Sequence, residues 1–296
     1  MITTKDYIEM VSYRRPEGSR SQRRFCNRYL KPVFGQPDSK GNYILRIGSK
    51  PKVAFMSHHD TVHAKNGRQP VTVDGNFAKA TSDCLGADCT TGVYIMLRMI
   101  EARIEGLYIV HAAEEVGCLG SSHIVYQTPE VFDGIQAAIS FDRKGYNSVI
   151  THQMGMRTCS DDFAYSLIDL LGLDYNLDTG GSFTDSNEYK ENVPECTNIS
   201  VGYFKQHTSQ ESQDLVFMDK VADACINADW SKLVIDRDPY MVETLWQTPS
   251  YFSDLDLEQI VAERPKSVAL LLQSYGYTAN ELLRELGEIR DDLTWQ

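Results

Sequence analysis

Five apolar runs read as buried strands: Lys52–Met56, Leu107–Ala112, Ile135–Phe141, Val149–His152 and Asn198–Phe204. Between and after them, Thr90–Arg103, Ser121–Phe132, Asp161–Leu171 and Leu215–Leu233 carry apolar residues at helical spacing. Strands alternating with helices predict an α/β fold, a mostly parallel mixed sheet sandwiched by helices. Tyr43–Ile47, following Gly41-Asn42, predicts an edge hairpin strand. The pattern changes near Asp236. Residues 236–253 are irregular, with Pro239 and Pro249, and short helices are expected beyond them. Thr278 and Glu281 form a capping box before a stripe of Leu282, Leu283, Leu286 and Ile289. The expected organisation is an α/β domain at 1–235 and a small acidic helical extension at 236–296.

Charge narrows the partners. A net charge of −12 repels nucleic acid and anionic membranes, so neither is an expected partner. The extension, with twelve acids against five bases, holds more than half of that excess. An opposite bias at Arg14, Arg15, Arg20, Arg23, Arg24, Arg28 and Lys31 reads as the solvated face of an N-terminal helix, with docking of an acidic partner as the alternative. No apolar run approaches the ~18 residues of a membrane span. The seven cysteines are scattered and show no CxxC spacing, which fits a reducing, cytoplasmic setting rather than a disulfide framework.

Four strand-like runs end in residue types that ligate metals, where open α/β sheets build their sites. Lys52–Met56 leads into Ser57-His58-His59-Asp60-Thr61-Val62, and Leu107–Ala112 leads into Ala113-Glu114-Glu115. Ile135–Phe141 ends at Asp142, and the run from Asn198 leads to His207. Asp88, before Cys89-Thr90-Thr91-Gly92, is a fifth candidate. Each has an ordinary structural explanation alone; together they point to one centre. In an extended segment Asp60 shares a face with His58 and can fix its tautomer, while His59 points away.

The ordered series His58-x-Asp60, Asp88, Glu114-Glu115, Asp142, His207 resembles the dinuclear-zinc exopeptidases of metallopeptidase clan MH. That superfamily includes aminopeptidases, carboxypeptidase G-type enzymes and N-acyl-amino-acid deacylases. The segments that carry the resemblance are 58–62, 86–92, 112–117, 141–145 and 207–211, with 180–186 similar to a Gly-Thr-Asp-containing segment. It implies a zinc aminopeptidase-like fold with two zinc ions, cobalt or manganese being substitutes. His58 and Asp142 are implied to hold one metal, Glu115 and His207 the other, and Asp88 both. Glu114 becomes the general base, with a hydroxide bridging the two zinc ions attacking the amide. The substrate is expected to be a peptide, or an N-acyl amino acid if the enzyme is a deacylase or amidohydrolase; a non-catalytic binding protein is the third reading. Asp142 and His207 lie too close in sequence for the inserted dimerisation domain of carboxypeptidase G-like members, which favours the aminopeptidase architecture. A homo-oligomer is compatible with all of this.

Departures and softer candidates remain. Cys89 stands where another acid is frequent, Asp83 is a rival for the bridging role, and His63 is a candidate for the site entrance. Arg143 is a candidate partner for a substrate carboxylate. Asp185 is a candidate for a hydrogen bond near the metals or for a helix cap. Tyr203 is a candidate pocket wall, with a core position as the alternative.

Overall fold

The computed structural model describes residues 2–241 together with Val261, Pro265, Val268, Ala269 and Leu272. The chain divides into two compact units, Met1–Leu245 and Trp246–Gln296. The helix expected after Thr278 lies outside the described residues.

A seven-stranded sheet forms the centre of the first unit. Its strands are β1 (Tyr43–Ile47), β2 (Val53–His58), β3 (Gly106–His111), β4 (Ala137–Arg143), β5 (Ser148–Ile150), β6 (Asn176–Asp178) and β7 (Glu195–Ser200). Across the sheet the order is β6-β5-β7-β4-β2-β3-β1. The four middle strands run parallel, β1 pairs antiparallel with β3, and β5 pairs antiparallel with β7. Every residue of β2 and β3 is buried, which is why both read as unbroken apolar runs rather than alternating ones. Because the middle strands are parallel, their carboxyl ends share one edge. In register, His58 pairs with His111.

Helices cover both faces. α1 (Thr4–Val11), α2 (Ala87–Glu101) and α5 (Leu215–Asn227) carry buried residues into one core with Phe55 and Phe141. A second core on the opposite face gathers Met56, Ile109, Phe132 and Tyr189, and includes Ile124 of α3 (Leu119–Gln127). α4 (Asp161–Leu171) starts at a Ser160 cap whose side chain accepts from the Phe163 N–H. α2 lies close against the sheet at Gly92. A Cβ there would meet Phe141 O and Ser57 Oγ, both at 2.7 Å, so only glycine fits. No helix among the described residues is long and apolar enough to cross a membrane.

Several expectations need correction. The helix expected at Ser121–Phe132 stops at Gln127, and Pro129 opens a separate 3₁₀ turn over Pro129–Phe132. The one expected at Leu215–Leu233 stops at Asn227. The run Asn198–Phe204 is not one strand. Gly202, at φ +90°, turns the chain out of the main sheet, and Tyr203–Phe204 joins a four-stranded antiparallel sheet with Ser212–Asp214, Phe77–Ala80 and Val71–Asp74. Arg15, grouped with the basic residues as solvated, is wholly buried over the Phe25 ring. Its guanidinium donates to Met10 O, His59 O and Thr90 Oγ1, tying α1, the segment after β2 and the start of α2 together. Burial lowers its pKa to about 10.

Candidate active site

The carboxyl ends of β2, β3 and β4, the start of α2 and the loop after Tyr203–Phe204 meet around Asp88. Its Oδ1 lies 3.1 Å from His58 Nε2 and its Oδ2 3.1 Å from His207 Nε2. One carboxylate thus faces two imidazoles. Asp88 can do this because it and Cys89 leave helical φ/ψ at the head of α2, so regular helix resumes only at Thr90. On the first side, His58 Nε2 is 3.6 Å from Asp142 Oδ1 and 3.8 Å from Glu114 Oε2. On the second, His207 Nε2 is 3.1 Å from Glu115 Oε2. Glu114 Oε2 is thus the glutamate oxygen nearer His58 and Glu115 Oε2 the one paired with His207, while ligand atoms of His58, Glu114 and Glu115 all lie within 4.8 Å of one another.

Electrostatics follow from packing these acids together. Burial and the charges of Asp142, Asp185 and Glu115 outweigh nearby His58 and push the Glu114 pKa well above its ordinary value. Burial and the Asp88 charge lift Asp142 to about 7. Burial likewise raises Glu115, against the hydrogen bond from His207. Burial would also raise Asp88, but hydrogen bonds from His207 and His58 hold it well below the carboxylate range. Hydrogen bonds to Asp88 and Glu115 lift His207 to about 11. Burial opposes charge on His58, yet Asp142, Asp60 and Asp88 raise its pKa well above normal.

The donors fit a divalent metal. The ligand atoms of His58, Asp88, Cys89 and Asp142 lie within 4.8 Å of one another, as do those of Asp88, Glu115 and His207. Glu115 Oε1 is buried without a hydrogen-bond partner, a cost a bound cation would remove. Imidazole and carboxylate together suit zinc, with cobalt or manganese close behind.

A supporting layer orients these groups. Asp60 is fully buried; its carboxylate accepts from the Glu114 and Glu115 N–H groups at 3.2 and 3.1 Å and stands 3.4 Å from His58 Nδ1. Thr184 Oγ1 donates to Asp142 Oδ2 at 2.9 Å and the Tyr203 hydroxyl to Asp142 Oδ1 at 3.3 Å. Tyr203 is thus buried and also walls the cleft. Asp185 accepts from Ser121 Oγ at 2.6 Å and pairs with His111 Nδ1 at 3.0 Å, and its side chain caps no helix. Arg143 lines the cleft beside Lys144.

His59 turns from the cluster towards Gln22 and Gly41 O, as the strand alternation predicts. Two alternatives fall away. Asp83 accepts from the Ala64 N–H, away from both donor groups. His63, a candidate for the entrance, is buried between Thr61 and the Cys84 carbonyl. Cys89 is buried, its thiol donating to Phe141 O at 3.0 Å. One residue escaped the sequence reading. The Glu211 carboxylate accepts from the N–H groups of Leu85, Gly86 and Asp88 at 2.9, 2.9 and 3.1 Å, clamping the loop that carries Asp88. The signal was its place four residues after His207, in the same segment.

The sequence model for peptidase family M28 matches residues 42–167, which include His58, Asp88, Glu115 and Asp142 but not His207. None of the curated proteins compared with the chain matches it. Among solved structures the chain is similar to aminopeptidase PepT from Bacillus cereus, at 14% identity and a TM-score of 0.63, covering 76% of this chain and 96% of that one. A tripeptidase from Staphylococcus aureus gives 13% identity and a TM-score of 0.63, with 76% and 96% covered. The TET1 peptidase of Pyrococcus horikoshii gives 13% and 0.61, with 77% and 100% covered. At such identities the structural likeness is one of fold.

Proposed function

We propose that the chain is a metallopeptidase of the family M28 kind, and that it acts as an aminopeptidase with two zinc ions at the centre just described. His58 and Asp142 would hold one ion, Glu115 and His207 the other, and Asp88 both. The observation that carries this reading is Asp88 itself, with its two oxygens turned to two different imidazoles. When bound, such a metal pair supplies Lewis-acid polarisation of the scissile carbonyl and a water of lowered pKa.

The chain's own residues do the rest. Glu114 takes the proton from the attacking water and delivers it to the leaving nitrogen, work that typically contributes about 10²–10⁴-fold. Asp60 holds the Nδ1 side of His58, which leaves Nε2 facing the carboxylates, and ties down the backbone of both glutamates. Thr184 and Tyr203 fix the Asp142 carboxylate. The cleft above them, about 100 Å³, suits a small segment of substrate. The Pyrococcus relative assembles into a tetrahedron or a large octahedral shell, and we extend to this chain the expectation of a homo-oligomer.

The test is a substrate panel on protein stripped of metal by a chelator and then reloaded with zinc. We expect hydrolysis of aminoacyl-anilides to vanish with the metal and return with zinc, while N-acetyl amino acids stay intact. Cleavage of the N-acetyl amino acids alone would establish the deacylase alternative instead. A zinc-loaded protein inert to both sets would be a binding protein.

A further inference from the structure

Immediately after Asp142 the chain places two cations, Arg143 and Lys144, in the wall of the same cleft. Arg143 is anchored. Its Nη2 donates to Asp178 Oδ2 at 2.9 Å, and Asp178 is itself fixed by Ser148 Oγ and the Gly180 N–H, both at 2.7 Å. The anchoring uses only part of the guanidinium. Nε is buried and has no partner among the described residues. Buried polar groups in folded proteins are nearly always paired, so the Asp178 contact leaves donor capacity unused on a side chain that lines the cleft.

From these contacts we infer that Arg143 selects substrates carrying a carboxylate next to the scissile amide, an inference that rests on the peptidase reading. A guanidinium held on one edge by an acid, with further donors unused, is preorganised for a second carboxylate, and charge-assisted pairs of this kind are the strong ones. Charge points the same way. Two divalent ions would offset the carboxylates of Asp88, Glu114, Glu115 and Asp142, and the cationic side chains in the cleft wall beside them are Arg143 and Lys144. Asp178 balances only one of them. Two parts of a substrate could present the acid: an acidic side chain on the residue whose carbonyl is attacked, or the free terminus of a single-residue leaving group.

Two substrate pairs separate these sources on the zinc-loaded, full-length protein. Glutamyl-p-nitroanilide against glutaminyl-p-nitroanilide varies the side chain at nearly constant shape. Leucyl-alanine against leucyl-alanine amide varies only the terminus. We expect kcat/KM to favour the acid by at least ~10-fold in one pair, as a hydrogen bond to a charged group would give. In Arg143→Gln that ratio should fall towards one, and Arg143→Lys, which keeps the charge but not the fork, should fall between. Equal rates within both pairs for the native protein would overturn the carboxylate assignment and leave the peptidase reading standing. No hydrolysis of any of the four would overturn both.

Discussion

Two histidines five positions apart show how local surroundings decide a residue's task. His58 ends a buried strand facing acids that raise its pKa. His63 is equally buried but faces neutral groups: Nδ1 meets Thr61 Oγ1 at 2.8 Å and Nε2 meets the Cys84 carbonyl at 3.1 Å. Burial, with the nearby Arg15 charge, lowers its pKa to about 4. A histidine depressed in this way favours the fold fully above its unfolded value of about 6.5, and that contribution fades as pH falls towards 4. Between pH 7.5 and 5 the native protein should therefore lose about 2 kcal/mol more stability than His63→Gln. Urea unfolding of both proteins in chelator checks this, and parallel losses would contradict it. At this scale the sequence exposed residues whose chemistry marks them: each candidate ligand closes an apolar run or flanks a glycine-rich turn. Arg15 and Glu211 did not stand out, because a basic run and a lone acid look solvent-facing until distant segments pack over them. Arg15 is buried by α1 and Phe25, and Glu211 by a loop more than a hundred residues earlier.

Among elements, the middle strands were legible because burial on both faces makes them continuous apolar runs. The four-stranded sheet was not. Phe77–Ala80 and Ser212–Asp214 are short and half-polar, and the pairing that joins them into one sheet links segments remote in sequence. Where the strand run Asn198–Phe204 breaks depends on one glycine backbone angle. The passage out of the first domain was also obscure. Glu195, at the start of β7, is completely buried and accepts from the Asp236 and Arg237 N–H groups, both at 2.8 Å, as well as from Ser160. A chain ending at Ile235 leaves this buried carboxylate short of two donors. It should be less stable than one ending at Met241 by at least ~2 kcal/mol, since hydrogen bonds to charged groups contribute ~1.5–3 kcal/mol each. Chemical denaturation of the two truncated chains side by side measures the difference, and equal midpoints would show that the segment is dispensable.

In the whole molecule, segments from residue 58 to residue 207 meet at one end of the sheet and bring four carboxylates and two imidazoles into one cleft. A chain of net charge −12 folds against its own repulsion there, so a cation that binds only the assembled cluster should also stabilise the fold. The central claim is that Glu115 holds metal while its neighbour Glu114 moves protons. Metal content and turnover of Glu114→Gln and Glu115→Gln, measured in one buffer with zinc neither limiting nor in large excess, test it most directly. Glutamine nearly matches glutamate in shape, but it cannot take the proton and is a weaker metal donor. The account predicts that Glu114→Gln keeps two metals per chain and loses at least ~10²-fold in turnover, whereas Glu115→Gln keeps close to one metal. If Glu114→Gln sheds a metal while Glu115→Gln retains two, or if both keep full activity, the account is contradicted.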